Sequence, residues 1–170
     1  MKLNTIEDLF VEQLHDLYAT EKELTVALPK MAEKVSTADL KKAFNEHIEL
    51  TQNQLNRLED IYTKLGLVHG EEKSEAAKGL VKEGEELMKS EGNPFVKDAA
   101  LIAAAQRIEH YEIAGYGCAR TYAHELGYTD IEKMLQDTLD EEGATDKLLT
   151  KIAEGGLFSG GGINRDAPLK

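Results

Sequence analysis

Apolar residues recur three and four positions apart along nearly the whole chain, the spacing that lines them up on one face of an α-helix. Four long stretches carry the pattern. The first covers about residues 5–35 and opens at Thr5-x-x-Asp8, where a hydroxyl and a carboxylate each accept a bond from the other residue's free backbone N–H. Pro29 is expected to bend this helix without ending it, because the apolar spacing continues through Met31 and Val35. The second runs over about 37–65 and stops at Gly66. The third occupies about 94–126: Asn93 is a capping residue, Pro94 suits the first helical position, and Gly127 follows the last periodic residue. The fourth runs over about 130–154, with capping-box spacing again at Thr129-x-x-Glu132 and glycines at 155 and 156.

The connections near residues 36 and 128 are tight, so each joins antiparallel neighbours. About 27 residues separate the second helix from the third, a polar Glu/Lys-rich stretch with a short helix predicted over 74–90. Short, long, short is the connection pattern of an all-α four-helix bundle with one long crossover. The bundle accounts for residues 1–154. The segment 155–170 is too glycine-rich to be regular and reads as a flexible or partner-docked tail.

The buried seam of each helix can be counted off, and it holds an anomaly. Along the first it runs Leu14, Leu17, Glu21, Leu24, Leu28; along the third, Ala105, Ile108, Glu112, Gly115, Ala119; along the fourth, Leu135, Thr138, Glu142, Thr145, Leu149. A glutamate stands in an apolar slot each time. Glu21 lies fifteen residues before position 36, Glu112 sixteen before position 128 and Glu142 fourteen after it; at ~1.5 Å per residue they share one height to within a helical turn. Glu109 and Asp146, nineteen and eighteen residues from the same turn, form a second acidic tier. The second helix presents Phe44, His47, Thr51, Gln54 and Leu58 on its seam. His47 comes about one turn short of Glu21, within reach as an imidazole ligand or hydrogen-bond donor, whereas Glu49 falls nearly opposite the seam. Tyr116, one turn past Glu112, can hydrogen-bond a ligand carboxylate or donate an electron. His15, His69, His110 and His124 read as surface groups and Cys118 as a small core residue.

Taking a carboxylate out of water costs several kcal/mol, and a cluster adds mutual repulsion, so something must compensate. In a bundle core the usual answer is one or two divalent or trivalent cations, and a hard, oxygen-rich donor set suits iron or manganese. Glu21, His47, Glu109, Glu112, Glu142 and Asp146 are the candidate ligands. Two alternatives stay open on the residues alone: flank positions that reach water, and a metal-free network that shares protons. Composition narrows the partners. With 20 Lys and Arg against 32 Asp and Glu the net charge is −12, which repels the nucleic-acid backbone and anionic membranes. The apolar run 99–105 is far short of the ~20 residues of a membrane span, and the charged start lacks a signal-peptide pattern, so a cytoplasmic protein is expected. A single cysteine excludes an internal disulfide and a cysteine-rich zinc site.

Four strings, TIEDLFVEQLHDLYATEKELTVALPKMA, AFNEHIELTQNQLNRLEDIY, DAALIAAAQRIEHYEIAGYG and LQDTLDEEGATDKLLTKIAE, resemble the YciE/YciF family of ferritin-like bacterial stress proteins, YciF branch. The match extends to about Glu154. The resemblance implies a ferritin-like bundle, a homodimer and a part in stress responses. The chain is also similar to more distant di-iron carboxylate proteins, whose first and third helices give a Glu each and whose second and fourth give a Glu-x-x-His each. On that pattern Glu21, Glu109-x-x-Glu112 and Glu142 match ligands, while Gln52 and Thr145 stand where histidines would, leaving His47 and Asp146 as substitutes. The expectation is a metal-binding stress protein with a carboxylate-rich core site, di-iron or di-manganese in its fullest form. The alternative is a non-catalytic structural bundle without metal, whose tail docks on a partner.

Overall fold

In the computed structural model, which describes residues 3–70, 73–155 and 161–170, the helices are α1 (Ile6–Lys34), α2 (Ala38–Leu65), α3 (Glu75–Lys89), α4 (Pro94–Glu125), α5 (Thr129–Glu154) and α6 (Ile163–Asp166). The first five begin and end within one residue of the sequence reading. Thr5 and Asp8 form the reciprocal cap, each backbone N–H reaching the other's side chain at 3.0 Å. Asn93 Oδ1 accepts from Phe95 and Val96 at 2.9 and 3.3 Å. The box expected at Thr129 does not form, because Thr129 is already helical and Tyr128 holds the cap position without a side-chain bond.

Thr37 likewise caps α2 without using its hydroxyl. The bonds come instead from across the bundle: the buried Asp98 carboxylate accepts from the backbone N–H of Ser36 at 2.9 Å and of Thr37 at 2.8 Å. A negative charge at a helix start also meets the positive end of the helix dipole. Asp98→Ala should therefore cost about 1–3 kcal/mol, since it leaves buried donors unpaired as well as removing the bonds; the midpoint of urea unfolding measures it.

Short links pair α1 with α2 and α4 with α5. Phe10 meets Tyr128, Asp16 meets Tyr111 and Ser36 meets Asp98, so α4 also runs against α1. The crossover carries α3 onto the outside of α1 and α4. This is the ferritin-like bundle, and its core is divided. Leu24, Leu28, Phe44, Leu101 and Leu149 fill one end, while Phe10, Leu14, Leu58, Tyr116, Ile131 and Leu135 fill the other. Between them lies a polar layer to which all four long helices contribute.

The end of the chain departs from the expectation of an irregular tail. Residues 156–160 lie outside the described residues, but α6 packs on α4 and α5 with Ile163 buried in the first apolar half. Burying Ile163 over that end contributes about 1.5–3 kcal/mol toward docking the segment, despite its glycine content. Among the described residues no helix is long and apolar enough to cross a membrane.

Candidate metal centre

The polar layer is built from helix registers. Glu21 on α1, His47 on α2, Glu109 and Glu112 on α4 and Glu142 on α5 are each no more than 3% exposed, although isolated glutamates almost never bury fully. On α4 the inward positions after Glu112 are Tyr116, Ala119 and Ala123, where a strict heptad puts Gly115 and Tyr122. A straight helix turns 3.6 residues per turn, so the seam slips, and the slip brings Tyr116 fully inside. Gly115 becomes the close approach of α4 to α1: a Cβ there would stand 2.8 Å from Leu17 Cδ2. Cys118 is carried outward by the same rotation and is exposed, not a core residue.

Three of the expected ligands converge tightly. Donor atoms of His47, Glu109 and Glu142 lie within 4.8 Å of one another. His47 Nδ1 stands 3.4 Å from Glu109 Oε1, longer than a well-formed hydrogen bond, and His47 Nε2 has no hydrogen-bond partner among the described residues. Glu21 and Glu112 join from the α1–α4 side. Glu21 Oε1 accepts a 2.5 Å bond from the Tyr116 hydroxyl, while both oxygens of Glu112 and of Glu109 lack a donor unless a neighbouring glutamate is protonated.

Burial dominates the electrostatics. It lifts Glu21, Glu109 and Glu112 well above the usual carboxylate range, and the charges of neighbouring glutamates lift them further. Burial raises Glu142 as well, against a pull downward from its bonds to Glu109 and Gln54. His47 goes the other way, to about 4, because its cationic form is desolvated. Its imidazole is therefore neutral at pH 7 and keeps a lone pair for a metal ion.

Asp146 is not in this group. It is four residues past Glu142, hence rotated by ~40° on the helix, and that turns its side chain to the flank of the bundle. There it accepts from Gln106 Nε2 at 2.9 Å and faces His110 at 3.3 Å. Glu49 and Gln52 face away, as the α2 seam predicts for Glu49: both are exposed, and Gln52 bonds Asn56 at 3.1 Å. With the same spacing, the inward pair is Thr51-x-x-Gln54. Gln54 Nε2 donates to Glu142 Oε1 and, at 3.2 Å, to Glu141.

Arg57 and Glu141, a pair that sequence reasoning missed, complete the wall. Arg57 grips Glu141 with two bonds of 2.9 Å and donates to Thr138 at 2.5 Å. Its position three residues past Gln54 on the same face was a usable signal, but its partner on α5 could not be named from one helix. His15 and His69 are likewise more than surface groups, since His15 Nδ1 bonds the Tyr62 hydroxyl at 2.8 Å and His69 stacks on Tyr62.

Residues 5–163 match the sequence profile of a family described as a domain of unknown function, DUF892. Protein YciF of Escherichia coli (strain K12) is 45% identical over 154 residues, 90% of this chain and 93% of that one. The crystal structure of the E. coli stress protein YciF superimposes with a TM-score of 0.85, covering 88% of this chain and 94% of that one. YcfI from Rhodopseudomonas palustris, whose description proposes a structural role, gives 0.85 at 40% identity, with 89% and 97% covered. A Xanthomonas campestris pv. campestris protein, 20% identical, shares the fold with a TM-score of 0.69, covering 86% and 89%.

Proposed function

The chain belongs to the DUF892 family, and from that starting point we propose that it is a ferritin-like metal-binding protein whose core takes up iron or manganese. Three buried donors carry this conclusion: His47, Glu109 and Glu142 converge between two apolar halves, with His47 Nε2 and both Glu109 oxygens lacking partners among the described residues. Unpaired buried polar atoms are costly, and a cation that takes one ligand atom from each of the three residues offsets that cost. A bound ion supplies Lewis acidity and, for iron, redox chemistry. The chain's own part is to keep the donors dry, to hold His47 neutral and to fix Glu21 through Tyr116. The E. coli relative is a stress protein, and we extend that role to this chain together with the homodimer that the family resemblance implies.

Elemental analysis of protein purified without chelator tests the proposal. Iron or manganese should be present, Glu142→Ala should lose it, and Glu49→Ala, altering an exposed residue of α2, should keep it. Restoring metal to stripped protein at about 100 times the dissociation constant should add ~2.7 kcal/mol of stability, or roughly 5–10 °C in melting temperature for a chain of this size. Protein free of metal, with no thermal response to either ion, favours the structural bundle instead.

A further inference from the structure

The polar layer has two unlike ends. At one, an imidazole nitrogen and two carboxylates from three helices lie within 4.8 Å; among the described residues this is the one set of three candidate ligand residues that meets so closely. Glu21 and Glu112, toward the other end, have no third ligand residue drawn in to that distance. The inward α2 positions there are Thr51 and Gln54, a hydroxyl and an amide, where a Glu-x-x-His pair would supply a carboxylate and an imidazole.

These substitutions are more than missing ligands. Gln54 points an N–H donor at Glu142 Oε1, so a second cation brought to that oxygen would have to displace the amide, while Glu142 Oε2, without a partner among the described residues, is left for an ion beside His47 and Glu109. Glu21 Oε1 is taken by the Tyr116 hydroxyl at 2.5 Å. Behind Gln54, the Arg57 guanidinium is held in place by Glu141 and Thr138; its charge favours ionised Glu21 and Glu142, while the Glu141 carboxylate that grips it opposes this at both and outweighs it at Glu142. A fixed positive charge and two hydrogen-bond donors thus take up part of what a second cation does in a two-metal site, at Glu21 Oε1 and Glu142 Oε1, and leave the Glu112 oxygens without a donor among the described residues.

We infer that the core holds a single divalent cation, ligated by His47, Glu109 and Glu142, and that Gln54, Tyr116 and Arg57 stand in for a second one beside Glu21. The inference rests on the metal-binding reading above, and departs from the two-metal form that the resemblance implies. It also makes Gln54 the residue that sets the stoichiometry.

The test uses the full chain, stripped with chelator and titrated with manganese(II) chloride by calorimetry, with bound metal counted after desalting. One equivalent per chain is expected, with the hyperfine-split magnetic resonance signal of isolated Mn2+ and no exchange-coupled pair. His47→Ala should weaken binding at least about tenfold, Glu112→Gln should retain the single equivalent, and Gln54→Glu should admit a second. Gln54→His is the second variant, should the glutamate fail to fold. Two equivalents of similar affinity in the unaltered chain, loss of all binding in Glu112→Gln, or a folded Gln54 variant that still takes one ion would overturn the single-ion assignment while leaving metal binding intact. No manganese or iron bound at all would overturn both.

Discussion

Glutamine in place of Glu112 should raise the melting temperature of the chelator-treated protein at about pH 8 by roughly 3–10 °C, from ~1–3 kcal/mol of relieved burial at ~2–4 °C per kcal/mol for this size of chain. Most substitutions in a core lower stability, so the sign is the informative part. Glu112 is 1% exposed, neither oxygen has a partner among the described residues when the cluster is ionised, and Glu21, Glu142 and Glu109 all press on it. Glutamine keeps the shape, cannot ionise and can donate to Glu21. Calorimetric melts of both proteins in the same buffer measure the difference. A fall of similar size would mean that the Glu112 carboxylate is held favourably even without a cation, and that the cluster is a self-sufficient hydrogen-bond network.

The second large effect is in pH. Glu21, Glu109, Glu112 and Glu142 bind their protons more tightly folded than at a glutamate's ordinary value of 4.5, so the folded state holds more protons than the unfolded one. Their contribution is fully present below 4.5 and is lost as pH rises through the raised values. His47 acts oppositely: lowered from 6.5 to about 4, its contribution is present above 6.5 and is lost as pH falls through about 4. Above pH 6.5 the glutamates act alone. The chelator-treated protein should therefore lose stability as pH climbs from 6.5 toward about 8, by up to ~1.4 kcal/mol per pH unit for each proton released. Saturating Mn2+ should reverse the slope, because the cation competes with protons for the same oxygens. Melting temperatures across this range, with and without manganese, decide it; a flat or rising profile in the stripped protein would show that the glutamates are ionised at little cost.

Much of this site was legible in the order of residues. Glu21, Glu112 and Glu142 break an apolar seam at matching distances from two turns, and counting along rigid helices was enough to place them in one layer with His47 and Glu109. Counting failed where rotation mattered. Asp146 and Cys118 are each turned outward by a small rotation about the helix axis, whereas the α2 seam of His47, Thr51 and Gln54 faces inward as its spacing predicts.

The sequence by itself determined the five principal helices, the crossover and the height of the acidic layer, because each follows from local spacing and from caps within a few residues. Only the tertiary structure decided which atoms meet. Asp98 caps a helix some sixty residues earlier in the chain, Arg57 finds Glu141, Gln54 reaches Glu142 and Ile163 docks α6 on the bundle. Those contacts depend on how neighbouring helices are rotated and offset against one another. Side-chain packing between elements sets that rotation, and the spacing within any one helix does not carry it.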